Sequence, residues 1–109
     1  MYVADVALNG TTIRMLADTG ASMVVLSEAD AERAGLDPEG LDYTMVVSTA
    51  NGQAMAAPVT IDEVRVGSIV RNDVRAAVTR GLSGSLLGMS FFTTLSKFAI
   101  ESDELVLKD

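Results

Sequence analysis

Leu16-Ala17-Asp18-Thr19-Gly20-Ala21-Ser22 is the stretch on which the fold turns. The apolar run Met15-Leu16-Ala17 delivers an Asp to the mouth of a strand, and a hydroxyl residue and a glycine come next. That order suits a carboxylate held on a tight turn: Thr19 can fix the turn by hydrogen bonds, and Gly20 lets another backbone come close. An Asp-Thr-Gly triplet arises by chance in roughly one in fifty chains of this length at average residue usage. Alone it reads as an ordinary Asx-type turn. Its weight comes from the hairpin before it and from Leu86-Leu87-Gly88 late in the chain.

Upstream, Tyr2, Ala4, Val6 and Leu8 alternate into Asn9-Gly10, the strongest short hairpin signal, and Thr11 to Leu16 returns as the partner strand. Downstream, Met23 to Leu26 reads as a short buried strand. Ser27 is expected to cap a helix, with Asp30 in the capping-box position and Gly35 at its end. Tyr43 to Thr49 and Gln53 to Ile61 flank Asn51-Gly52, a type I′ signature. The second arm is Ala-rich and contains Pro58, which marks it as an exposed projecting ribbon and not a central strand. A tight hairpin is expected at Gly67-Ser68, between Val64–Val66 and Ile69-Val70, and a separate strand over Val74 to Val78. Gly81 to Gly84 reads as a flexible loop, Met89 to Leu95 as a short helix, and Phe98 to Ile100 and Leu105 to Leu107 as closing strands. The expected fold is mainly β with two short helices, in one domain over residues 1–109.

The chain carries a weak internal echo. Val6-Ala7-Leu8-Asn9-Gly10 resembles Val64-Arg65-Val66-Gly67-Ser68, and each half then reaches an apolar pair, a Gly-containing loop and a helix. In the first half the loop carries Asp18; in the second, Gly88 is expected at the matching place, where no acid stands. One carboxylate per chain implies that a paired-acid site needs two chains.

Composition narrows the chemistry. The 109 residues include no His and no Cys, which removes Ser-His and Cys-His nucleophile systems and the preferred ligands of zinc. Catalysis must then run on carboxylates, hydroxyls, Lys or Arg, and no metal or other cofactor is expected. A formal net charge of −7 argues against nucleic acid, whose binding needs a basic footprint. The Lys and Arg are scattered and no apolar stretch has spanning length, so no membrane contact is expected of this segment. Met1 runs almost directly into a strand, as it would in the excised soluble part of a longer protein.

Leu16 to Ser22, Thr49-Ala50-Asn51-Gly52, and Leu86-Leu87-Gly88-Met89-Ser90-Phe91-Phe92, in this order and spacing, resemble the retropepsin-type aspartic proteases, and among them the bacterial single-domain members. The resemblance implies an acid-protease barrel and a homodimer in which each chain gives one catalytic Asp18 to a shared site. It implies that Thr19 bonds across the dimer, that Gly20 receives substrate backbone, and that Ala21 and Ser22 support the loop. Ala50, Asn51 and Gly52 would belong to a flap over an extended polypeptide, with Gly84, Ser85 and Leu86 walling the subsites. It also implies a periplasmic location behind an N-terminal membrane anchor, with no anchor expected within this segment. Without the resemblance, Asn51-Gly52 is a solvated hairpin, Leu86-Leu87-Gly88 is core, the Met residues are core fillers, and Asp62-Glu63 and Asp103-Glu104 are solvated turns. The second functional reading is a non-catalytic module of the same fold that dimerises or holds a peptide by strand addition. A nucleotide loop at Asp18 to Ser22 lacks the following Lys.

Overall fold

The computed structural model describes residues 2–49, 52–101 and 104–109. Ala4, Val6 and Leu8 on β1 (Tyr2–Leu8) and Ile13, Met15 and Ala17 on β2 (Thr11–Ala17) all turn into one core, because the period-2 alternation of both strands is in phase. The register runs from Tyr2 opposite Ala17 to Leu8 opposite Thr11. Asn9 and Gly10 take left-handed φ values of 50° and 86°, as a two-residue type I′ turn requires. The Asn9 side chain donates to the Ala34 carbonyl (3.1 Å) and accepts from the Glu63 N–H (3.0 Å), so the turn is stitched to distant parts of the chain.

All of β3 (Val24–Ser27) is buried. Ser27 caps α1 (Glu28–Arg33) as expected, its Oγ accepting from the Asp30 N–H at 3.1 Å. Gly35, at φ 87°, ends that helix. A single turn of 3-10 helix at Pro38–Gly40 leads to β4 (Met45–Thr49), β5 (Gly52–Val66), β6 (Ile69–Thr79) and β7 (Ser85–Leu87). Then come α2 (Met89–Phe92), β8 (Lys97–Glu101) and β9 (Glu104–Lys108).

The main sheet has the order β1-β2-β7-β3-β6-β5-β4, and a further pairing of β1 with β5 closes six of these strands into a barrel with β4 appended at the edge. Phe91 and Phe92 of α2 are fully buried in the barrel core, and Phe98 of β8 stacks on Phe92 with 5.1 Å between ring centroids. The mainly β barrel with two short helices that was expected is therefore the observed fold. Among the described residues, no helix is long and apolar enough to cross a membrane.

Four local expectations are corrected. The arm containing Pro58 is no projecting ribbon: it is part of β5, a 15-residue strand that buries Ala56, Ala57 and Ile61. Pro58 is tolerated because β4 leaves β5 at Ala56 and β1 joins it only at Val64, so between them β5 has one neighbour, β6. Ile69 to Thr79 is one strand, not two, with Asp73 at φ 53° inside it. Gly52, expected in the turn, pairs with Thr49 and so belongs to β5; Ala50 and Asn51, the rest of the expected turn region, lie outside the described residues. Finally, α2 stops at Phe92 because the Thr93 and Thr94 hydroxyls donate to the carbonyls of Met89 and Phe91.

The internal echo is real, but its alignment differs from the expected one. β2 runs parallel to β7, with Ala17 opposite Leu87, and β6 runs parallel to β3, with Thr79 opposite Ser27. Exchanging the halves β1-β2-β3-α1 and β5-β6-β7-α2 maps the contact of β3 with β7 onto itself, so its pair, Val25 opposite Leu86, equates those two residues and with them the helix caps Ser27 and Gly88. The pair of Ala17 with Leu87 then maps onto that of Val78 with Leu26, and the residue matching Asp18 is Thr79. Gly88 matches Ser27, not Asp18.

Candidate active site

Asp18 stands where β2 ends, yet the ladder to β7 continues through it: its N–H donates to the Leu87 carbonyl at 3.0 Å. Its carboxylate Oδ1 accepts from the Gly20 N–H at 2.8 Å, and its carbonyl accepts from the Ala21 N–H at 3.2 Å. The Asp-Thr-Gly turn therefore holds its own acid by a charge-assisted bond. A Cβ on residue 20 would lie 3.1 Å from that Oδ1, so glycine keeps the carboxylate in place. Asp18 is half-buried, Thr19, Gly20 and Ser22 are exposed, and Ala21 is fully buried beneath them.

The second motif clamps this loop from below. The Met89 N–H donates to the Ala21 carbonyl at 2.9 Å. A Cβ on residue 88 would fall 1.9 Å from the Met23 carbonyl oxygen and 2.8 Å from that of Ala21, so only glycine fits. Ser90, which sequence reasoning passed over, accepts from the Val24 N–H (2.8 Å) and donates to the Arg75 carbonyl (2.7 Å), tying the loop's exit to β6. Its signal was its place two residues after Gly88.

Leu86 is half-buried where β7 meets both neighbours, opposite Leu16 on β2 and Val25 on β3. Gly84 is exposed beside it. The Ser85 side chain is engaged elsewhere: its buried Oγ accepts from the Ser27 N–H (3.0 Å) and donates to Asp30 Oδ2 (2.6 Å), completing the cap of α1. Asp30 thus reaches the Ser27 N–H through Ser85, a three-residue variant of the capping box.

A small apolar cluster connects the β4–β5 ribbon to the Asp18 loop. Val47, Ala56 and Ala77 are its buried members, with Met23, Met45 and Ala54 packed against them. Met23 closes the loop that begins at Asp18, so the ribbon rests on the loop's exit. A groove of about 240 Å³ continues outward from Met23 between Pro58, Val59, Thr60, Arg75 and Ala76. A larger groove of about 430 Å³ lies between β1 and β9, lined by Tyr2, Ala4, Ile69, Leu105 and Leu107, without Asp18 on its wall. Among the described residues no group of three or more acids is placed to hold a metal ion. Chemically, one chain offers a single, rigidly held carboxylate on an open face.

Residues 4–94 match the sequence model of the gag-polyprotein putative aspartyl protease family. A Sinorhizobium protein described as an uncharacterized protein in the cobV 5′ region is 48% identical over 110 residues, covering 99% of this chain and 47% of that protein. A Rickettsia prowazekii relative is 36% identical over 97% of this chain, and the chain spans about half the length of both relatives. Among solved structures, a retropepsin-like aspartic protease from Rickettsia conorii superposes with a TM-score of 0.80 at 36% identity, covering 94% of this chain and 86% of that one. The retroviral protease-like domain of Ddi1 from Leishmania major shares the fold, with a TM-score of 0.71 at 16% identity over 98% and 87% of the two chains.

Proposed function

The chain belongs to the retropepsin-like aspartic protease family, and we propose that it is an aspartic endopeptidase whose site is completed by a second copy of itself. The observation that carries this reading is that Asp18 and Thr79 are equivalents in the two halves: the chain's own pseudo-two-fold supplies a neutral hydroxyl where a second acid is needed. A true two-fold between identical chains supplies the acid with no extra sequence. The β8–β9 hairpin forms a sheet of its own, with Ile100 exposed, and we assign it to the interface.

In the dimer the two Asp18 carboxyls share one proton, because like charges so close cannot both ionise. The ionised member takes a proton from water, whose oxygen attacks the scissile carbonyl carbon. The protonated member polarises that carbonyl, and the proton passed to the pair then goes to the leaving amine as the C–N bond breaks. Thr19 bonds across the two-fold beneath the pair, Ala21 and Ser22 support the loop, and Gly20 receives the substrate backbone. The β4–β5 ribbon covers an extended polypeptide, with Ala50, Asn51 and Gly52 contacting it. Gly84, Leu86 and the Ser85 backbone wall the subsites.

Incubation of the protein with denatured polypeptides over a pH series tests this. A pair that must carry a single charge gives internal cleavage with a bell-shaped profile peaking on the acid side of neutrality. A rate that climbs steadily through about pH 9, or no cleavage at any pH, contradicts it.

A further inference from the structure

Arg80 directly follows Thr79, the counterpart of Asp18 in the second half. Its guanidinium carbon lies 4.1 Å from the centroid of the Tyr43 ring, and its Nε lies 3.9 Å from Glu28 Oε2 at the start of α1. Tyr43 is itself fixed, its hydroxyl donating to the Pro38 carbonyl at 2.7 Å. The register shows what this contact spans. Met45, which opens β4, is opposite Ala56 of β5, and Ala56 is opposite Thr79, which ends β6. Tyr43 stands just before Met45 and Arg80 just after Thr79. The side-chain contact therefore crosses β5 and joins the first residues of the ribbon to the end of the barrel's neighbouring strand.

That position matters because β4 is an edge strand, bonded among the described residues to β5 alone. Edge elements with few neighbours open at the low end of a protein's range of local stabilities. The ribbon's inner face, Met45, Val47, Ala54 and Ala56, rests on Met23 and Ala77 and so touches the exit of the Asp18 loop. Whatever sets the angle of the ribbon's root also sets how it lies over the acid.

We propose that Arg80 is a positioning residue for peptide hydrolysis: by stacking on Tyr43 it holds the root of the β4–β5 ribbon in the orientation that binds substrate over the Asp18 loop. This rests on the peptidase reading given above. The planar guanidinium is suited to the role, since it stacks on an aromatic face while offering an N–H toward Glu28; an ammonium does the first poorly.

Amide hydrogen exchange and steady-state kinetics on the assembled protein test the proposal together. Arg80→Ala and Tyr43→Leu should each speed exchange in residues 45–49 and 52–56 by about two- to five-fold, the scale of one exposed cation–π contact, and leave the β1–β2 hairpin unchanged. KM for a peptide substrate should rise by the same factor with kcat little altered. Tyr43→Phe keeps the ring but loses the bond to Pro38, so its exchange and KM should lie between those of wild type and Tyr43→Leu, and Arg80→Lys should fall between wild type and Arg80→Ala. The double variant Arg80→Ala, Tyr43→Leu should be no worse than either single one. Ribbon exchange and KM unchanged in an active Arg80→Ala protein overturns the role of Arg80 alone. Faster ribbon exchange in a protein that cleaves nothing at any pH overturns the peptidase reading and, with it, any role for Arg80 in hydrolysis.

Discussion

Ala17 and Thr79 end equivalent strands of the two halves, and the segments beyond them differ in almost every physical respect. After Ala17 the backbone is gripped: Asp18 continues the ladder to Leu87, Ala21 is buried, and Gly88 sits where no larger residue fits. After Thr79 the chain is open. Arg80, Gly81, Ser83 and Gly84 are exposed, and Arg80 is held through its side chain on Tyr43. On the proposed reading, a carboxylate that must meet its counterpart with sub-ångström tolerance needs a rigid backbone, whereas a contact that braces an edge strand needs only reach. On that reading one half of the frame carries the chemistry and the other its support.

The comparison breaks most visibly at Asp18. Asp18→Asn removes the only acid on the gripped side, and peptide hydrolysis should fall by roughly 10³-fold or more while the thermal midpoint barely moves. Retained turnover in pure variant protein places the chemistry elsewhere. Gly88→Ala attacks the grip itself. With backbone oxygens where the methyl must go, the fold should lose about 3 kcal/mol, read as a lower denaturation midpoint, and activity should fall with it. A Gly88→Ala variant as stable as wild type means that the loop can shift away, and that the grip is weaker than the packing indicates.

The smallest expected effect sharpens the other side. Thr79 is 1% exposed and its hydroxyl has no hydrogen-bond partner among the described residues, whereas its equivalent in the first half is the half-buried Asp18. Thr79→Val keeps the shape and removes the orphaned group, so it should stabilise the protein by about 1 kcal/mol in chemical denaturation. A loss of stability instead reveals a partner for that hydroxyl.

Features decided within a few residues were legible in the sequence. Asn9-Gly10, Gly67-Ser68, the Ser27 cap and the stop at Gly35 depend on local backbone preferences, and all four stand where the residues placed them. β5 was not legible, since Pro58 was weighed as a local breaker and its fate depends on where two other strands happen to stop. Ala56 and Ala57 are both buried, so the strand is covered on both faces there and loses the alternation that would have marked it. At the site, Asp18 and Gly88 were visible as motif residues, but which of them faces an equivalent in the other half was not. That depends on Val25 lying opposite Leu86, a pairing between strands far apart in the chain, which sets Thr79 against Asp18 and Ser27 against Gly88. Ser85 illustrates the same limit: next to a motif it reads as a subsite residue, yet its hydroxyl is used inside the cap of α1.

The central claim is that each working site contains one Asp18 from each of two chains, and mixing subunits tests it most directly. Wild-type protein and Asp18→Asn protein, exchanged to equilibrium at fixed total concentration, distribute into homodimers and mixed dimers. If both acids are required, activity falls as the square of the wild-type fraction, to about a quarter of the undiluted value in an equal mixture. Activity that falls only in proportion to the wild-type fraction would mean that one Asp18 suffices, and the shared site would be wrong.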